Sequence, residues 1–435
     1  MREQNHQFPL RTLTLCLAGY AALQVLFLGL APIAGSTEAR EAQVIDTILR
    51  TNEWILPLRN GIVPSKPPLF HWIGALCSLI AGEVSELTVR LPSLLSAVGI
   101  LFFTSVAGFR LARLNQTVEG ELHPERVALV APAILSLTFG FHQLSHQAMV
   151  DMTFSFFVWG ALVSLLSADT KSWRNARQIS WQARAGFWTC TATAALARGP
   201  VGLALPLAVV GFTGWYLAGI RATLREFLRP SIGWFAFAIP LTWYTAAYLK
   251  GGDAFLSRQL LFENVQRFVG GENINTEAWW FYGPSLLRTT APWGVLMVFA
   301  VTSYLRRSRT SSYLGGFKRW TIAPTVALIT GVLLFSLSSG KRHSYMLALE
   351  PLVALQCALL FSMFLERKGL HTRERFWRIA SRSEGFFASL AVITPLAMGA
   401  ALLIDWGHHP LEDVLKFSFS PLTFRVAITA LASLF

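Results

Sequence analysis

Apolar runs long enough to cross a lipid bilayer recur along most of this chain, and short polar segments separate them. A spanning helix needs about 20 apolar residues, because lipid offers no water to satisfy free backbone groups. Residues 12–34 carry no charge and are long enough to cross. Further runs fall at 91–109, 127–150, 152–168, 185–197, 199–220, 230–249, 285–305, 320–339, 344–365, 385–404 and 420–435. The pattern therefore predicts about twelve membrane helices and an all-α, polytopic integral membrane protein. Basic Arg2 and Arg11 precede the first run, which exceeds the roughly 7–15 residues of a signal-peptide core and reads as a retained helix. The run 69–82 is too short to cross comfortably and reads as an interfacial segment.

The first long polar segment, 35–90, has a pattern of its own. Ala42, Ile45, Ile48 and Leu49 share one face at helical spacing, and Ser36 or Thr37 can cap the helix start. An amphipathic helix on the membrane surface is predicted there. Asn60-Gly61 then marks a turn, and Pro67-Pro68 stiffens the chain beside Lys66, holding that cation at the membrane interface. The segment 250–284 is the next longest.

Charge gives the orientation. With the N-terminus inside, the loops 1–11, 110–126, 168–184, 221–229, 306–319 and 366–384 fall on the same side. They hold 23 of the 37 Lys and Arg against 9 of the 24 Asp and Glu, leaving 14 basic and 15 acidic residues elsewhere. The basic excess thus lies wholly on the cytoplasmic side, as the positive-inside rule requires. Segments 35–90 and 250–284 then lie outside, and any chemistry with them.

Composition agrees. Only 14% of residues are charged and 53% are hydrophobic, whereas soluble domains average about 25% charged. The net charge of +13 reports topology; no nucleic-acid partner is expected, because the basic residues form no single stripe interleaved with stacking aromatics. Cys16, Cys77, Cys190 and Cys357 sit in apolar stretches without a CxxC pair, which argues against a metal site or a disulfide framework.

Within this background a few ionisable residues stand out. Asp151 lies between two apolar runs, where a lone acid is costly. Glu38 and Lys66 belong to the first outer segment, and Arg267 to the second, where its planar fork suits a phosphate. Each has a plainer reading. Glu38 suits the first turn of a helix, Lys66 can snorkel, Asp151 can cap a span, and Arg267 can be a solvated loop charge.

One ordered series of short motifs adds to this. Thr37-Glu38-Ala39-Arg40, Asn52-Glu53-Trp54, Pro57, Asn60-Gly61, Lys66-Pro67-Pro68-Leu69 and His71-Trp72 come first. Arg90-Leu91-Pro92-Ser93, Val150-Asp151-Met152, Ala197-Arg198-Gly199-Pro200-Val201-Gly202 and Glu263-Asn264-Val265-Gln266-Arg267-Phe268 follow, then Phe335-Ser336-Leu337-Ser338 through Lys341 to Tyr345. Over roughly residues 10–365 the series resembles the ArnT/protein O-mannosyltransferase group of GT-C glycosyltransferases.

The resemblance implies one GT-C-type transmembrane domain over 1–435, with juxtamembrane helices and an active site facing the periplasm from a bacterial inner membrane. It implies a polyprenyl-phosphate-linked sugar donor, inverting transfer, and a lipid, glycan or protein acceptor. On this pattern Glu38 and Asp151 are the catalytic carboxylates that engage the acceptor. Lys66, Arg267, Arg40, Lys341 and Arg342 hold the donor phosphate, and Glu263, Arg198 and Trp72 bind substrate. Three positions depart from the family pattern: Thr37 stands where an acid is common, Ser65 where a Glu often precedes Lys-Pro-Pro, and Asn264 where a His often follows Glu. The lost groups are acids and a potential metal ligand, so no cofactor is expected, nor the divalent metal that relatives can hold. Two rivals stay open. A secondary transporter would also carry intramembrane charges, although no internal repeat is evident. The change at Thr37 would suit an inactive scaffold of the same fold.

Overall fold

In the computed structural model the chain divides at Glu366, and the second unit, Arg367–Phe435, lies outside the described residues. The structure describes residues 7–366 except 34, 115–122, 167–178, 271–275, 296 and 299–313. The expected spans at 385–404 and 420–435, and the end of 285–305, fall outside them.

Among the described residues the architecture is helical, and the only β features are isolated bridges. The helices are α1 Leu10–Leu28, α2 Ser36–Thr51, α3 Leu69–Ala81, α4 Glu86–Leu114, α5 Pro124–Ser136, α6 Phe139–Ser145 and α7 Val150–Leu166. They continue as α8 Trp181–Arg198, α9 Val201–Ala218, α10 Ile220–Leu228, α11 Ala238–Phe255, α12 Tyr282–Thr289, α13 Leu314–Ser336 and α14 Glu350–Glu366. A π-helical segment, Leu256–Gln266, continues α11, and a 3-10 turn, His343–Ala348, precedes α14.

Four stretches are long and apolar enough to cross a membrane: α1, α4, α9 and the continuous run Ile232–Val269. The expected single span at 127–150 is instead a bent pair, α5 and α6, meeting at 70°. The break falls at Leu137-Thr138, where Thr138 takes an extended backbone (ψ 131) that no helix accommodates. The expected spans at 152–168, 320–339 and 344–365 correspond to the apolar helices α7, α13 and α14.

The main core is built chiefly by α4, α5, α6, α7, α8, α9 and α14, around Phe141, Phe154, Trp159, Phe187 and Leu355. A second, smaller core seats the first long polar segment, 35–90. Val44, Ile45 and Ile48 of α2 pack on Phe70 and Ala75 of α3 and on Val89, Ala148 and Val150. The close approach requires Gly74, because a Cβ there would lie 2.4 Å from Ile45 Cδ1. The amphipathic helix expected from 42, 45, 48 and 49 is present, with its buried stripe also carrying Glu38 and Glu41. Its cap differs from expectation. The helix begins at Ser36, Gly35 takes the N-cap position, and no side chain caps it.

The Asn60-Gly61 turn forms as expected. Asn60 (φ 50) and Gly61 (φ 78) both take left-handed backbone, which Asn and Gly tolerate best, and the Arg59 and Ile62 backbones bond each other across them.

Candidate functional site

The N-terminus of α7 and the C-terminus of the antiparallel α8 bring Asp151 and Arg198 to the same end of the bundle. There Arg198 donates to Asp151, and both are buried. The Tyr345 ring lies 4.4 Å from the Arg198 guanidinium and Phe154 lies 5.3 Å from it, so this cation is clamped between two rings.

The loop ahead of α3 adds Lys66. Its ammonium donates to Glu263 Oε2 at 2.8 Å. Gln259, buried in the π-helical segment, donates to the carbonyls of Pro64 and Lys66, both at 2.9 Å, and so holds the Lys66 backbone in place. Glu263 is shared further. Arg267 Nε lies 2.9 Å from it and Arg258 3.8 Å, so one buried carboxylate faces three cations. Asn264 turns away and donates to the Gln259 carbonyl at 2.6 Å. Burial pulls the Lys66 ammonium below its ordinary range; the Glu263 charge opposes that shift, and Arg198 adds to it.

The cluster thus holds four cations, Lys66, Arg198, Arg258 and Arg267, against two carboxylates, Asp151 and Glu263. An excess of two positive charges in a largely buried setting is unfavourable alone and suits an anion. Of the residues expected from sequence, Lys66, Asp151, Arg198, Glu263 and Arg267 meet here. Arg258, Gln259 and Tyr345 join them without having been singled out.

The others lie elsewhere. Glu38 accepts from Arg90 through both oxygens, at 2.7 and 3.1 Å, and from the Ala148 amide at 2.8 Å. Arg90 spends its remaining N–H groups on the carbonyls of Leu28, Ala31 and Pro32. Glu38 therefore closes a clamp joining the end of α1, α2 and α4, apart from the cluster's own ion pairs. Arg40 donates to Thr37 Oγ1 and lines a neighbouring cleft. Lys341 donates to the carbonyls of Ser338 and Glu277, while Arg342 is exposed. Trp72 Nε1 donates to the Trp54 carbonyl, fastening the segment after α2. His71, buried, pairs with Glu41 at 2.7 Å between α2 and α3.

Among the described residues no group of three or more His, Cys, Asp or Glu could hold a metal ion. Asp151 and Glu263 are already engaged by Arg and Lys, so the residues present do not fit a divalent metal in this cluster.

No family model matches the chain. In sequence it is 26% identical over 402 residues to an undecaprenyl phosphate-alpha-4-amino-4-deoxy-L-arabinose arabinosyl transferase of Shewanella sediminis, covering 90% of this chain and 66% of that one. It is 24% identical over 377 residues to the corresponding transferase 2 of Proteus mirabilis, covering 84% of this chain and 60% of that one. Among solved structures it is similar to ArnT from Cupriavidus metallidurans bound to undecaprenyl phosphate, with a TM-score of 0.61 and 16% identity, over 87% of this chain and 65% of that chain. The chain spans about two thirds of the length of these relatives. It is ArnT-like in sequence and has the polytopic GT-C fold.

Proposed function

We propose that the chain is a membrane glycosyltransferase that moves a sugar from a polyprenyl-phosphate carrier to an acceptor hydroxyl on the outer face of a bacterial inner membrane. The observation that carries this reading is the buried excess of cations over carboxylates where α7, α8, the Lys66 loop and the π-helical segment converge. The relatives named for undecaprenyl phosphate chemistry support the same carrier class.

In this reading Lys66 and Arg267 face the carrier phosphate. Phosphate is already a good leaving group, so the site's task is to stabilise the charge that grows on it as the glycosidic bond breaks. The acceptor oxygen attacks the anomeric carbon from the opposite side, which inverts it. The bonding electrons depart with the phosphate, and the acceptor proton passes to a carboxylate. Of the two cluster carboxylates, Glu263 is shared by three cations, which leaves Asp151 for this role, and Arg198 holds its orientation. Glu38, locked by Arg90 and the Ala148 amide, acts as a positioning residue that fixes α2 above the site.

Transfer of a radiolabelled sugar from a polyprenyl-phosphate donor by the purified chain tests the reading. Asp151→Asn should lower turnover by about 10²–10⁴-fold with donor affinity nearly unchanged. Unaltered turnover in a normally inserted Asp151→Asn protein would remove Asp151 from the reaction.

A further inference from the structure

The short helix α10, Ile220–Leu228, is held between two spans. Helix α9 ends at Ala218 just before it, and the continuous apolar run Ile232–Val269 begins just after it, so α10 lies where both leave the bilayer. Its inward side is firmly seated. Phe227 stacks on Phe187 of α8 with ring centroids 5.7 Å apart, and Trp188 meets the same ring edge-on at 6.2 Å. Thr223 is buried and donates to the Gly219 carbonyl at 3.0 Å. Glu226 is buried too, with Arg184 of α8 lying 3.5 Å from one of its oxygens.

The outward side has a different character. Ile220, Leu224 and Leu228 recur at every fourth position and are 53%, 48% and 73% exposed. Arg221, Arg225 and Arg229 each follow one of them in sequence, about 100° further round the helix. Arg221 and Arg225 are exposed. An apolar stripe thus runs beside a basic one on the side turned away from the protein. Water suits the basic stripe and not the apolar one. Trp215 and Tyr216 stand exposed in the last turn of α9, and Trp234 is exposed just beyond α10. Trp and Tyr collect at the level of lipid headgroups, so α10 sits at that depth.

The charge is one-sided. From Gly219 to Ile239 the chain has three arginines and one acid, Glu226, and that acid is turned inward. Burial pushes the Glu226 carboxyl above its ordinary range, against the pull of Arg184, Arg229 and Arg225, which weakens its offset to the basic stripe.

We propose that α10 lies in the membrane interface and gathers anionic phospholipid headgroups from the surrounding leaflet. Ile220, Leu224 and Leu228 enter the acyl boundary. Arg221 and Arg225 reach lipid phosphates at headgroup depth while their methylene stems stay against apolar surface. A zwitterionic headgroup carries its own ammonium, which cancels much of this attraction; phosphatidylglycerol carries none. No residue of this face belongs to the Lys66 cluster, so the inference stands apart from the transferase reading.

The test places a bimane dye on Leu228→Cys in the full chain, with the four native cysteines replaced, in phosphatidylcholine nanodiscs. Phosphatidylglycerol or phosphatidylcholine with a nitroxide high on the acyl chain is added in rising fraction, and quenching of the dye is read. The phosphatidylglycerol analogue should reach half-maximal quenching at a roughly fivefold lower fraction, the worth of two exposed ion pairs. Arg221→Gln with Arg225→Gln should remove this preference while both analogues still quench. Lysine at both positions should keep most of it, and raised salt should shrink it. Both arginines are exposed, so the variants should fold, and an unshifted Tm checks that they do. Equal quenching by the two analogues with both arginines intact, or a preference that survives both Gln substitutions, would overturn the proposal. Quenching by neither analogue would overturn it as well, and would mean that a second copy or another protein covers this face.

Discussion

Lys66 combines two demands that oppose each other. It must stay charged to hold a phosphate, yet it is largely buried beside Arg198, and its ammonium is easier to deprotonate than an exposed lysine's. The sign of the pH effect follows. The protonated form binds the anion, so carrier affinity is full at neutral pH and falls as pH rises through the lowered Lys66 value, before the ordinary value of about 10.4. Isothermal titration with undecaprenyl phosphate across that range should show the early fall, and Lys66→Arg should abolish it because a guanidinium does not titrate there. An affinity that stays flat to pH 10 or so in the unaltered protein would contradict this assignment. Glu38 makes the opposite case. Its carboxylate belongs to a closed clamp with Arg90, and breaking a buried pair from one side typically costs about 3–5 kcal/mol. Glu38→Gln should lower thermal stability markedly. Glu38→Leu with Arg90→Leu should lose less than the two single losses combined, a coupling that calorimetry in detergent can measure. The motif around Glu38 was legible in the sequence, but its partner was not. Arg90 lies 52 residues away, and only the seating of α2 on α3 and α4 brings them together.

At the scale of elements, the site depends on how short polar segments are fastened to long helices. The amphipathic face of α2 could be read from its spacing, as could the Asn60-Gly61 turn, because both follow from local backbone and patterning rules. The π-helical segment could not. Its wider winding sets Arg258, Gln259 and Glu263 together around the Lys66 loop, and nothing in the local composition announces a π-helix. Gln259→Ala should therefore weaken carrier binding although Lys66 is intact. Two lost hydrogen bonds at about 0.5–1.5 kcal/mol each correspond to roughly 5–150-fold in affinity. Unchanged affinity would mean that the loop is held by Pro67-Pro68 alone. The α2–α3 contact gives a second test. Gly74→Ala places a methyl 2.4 Å from Ile45 Cδ1, an overpacking that should cost about 1–3 kcal/mol, and Ile45→Val should recover part of it. If Gly74→Ala unfolds at the same temperature as the unaltered protein, α2 is not seated as described.

Across the whole molecule, the alternation of apolar runs and the basic excess of one set of loops made an all-helical membrane protein legible from the sequence. The number of crossings was less so, because α5 and α6 share one apolar run across a 70° break that hydropathy averages away. Orientation can be checked directly in a background with the four native cysteines replaced. A cysteine at Thr51 should react with an impermeant thiol reagent from outside, and one at Gln182 only after permeabilisation; both positions are exposed. The reverse pattern would turn the site toward the cytoplasm. The functional claim rests on how that end of the bundle treats a carrier phosphate. The most direct measurement is equilibrium binding of undecaprenyl phosphate and of undecaprenol, the same lipid without phosphate, to the purified chain and to Lys66→Ala. The account predicts that the phosphate form binds far better than the alcohol. It also predicts that Lys66→Ala weakens the phosphate form by roughly 10–150-fold, the worth of a charge-assisted hydrogen bond of about 1.5–3 kcal/mol, and leaves the alcohol unaffected. Equal binding of the two lipids, or an undiminished affinity for the phosphate form in a folded Lys66→Ala protein, would contradict it.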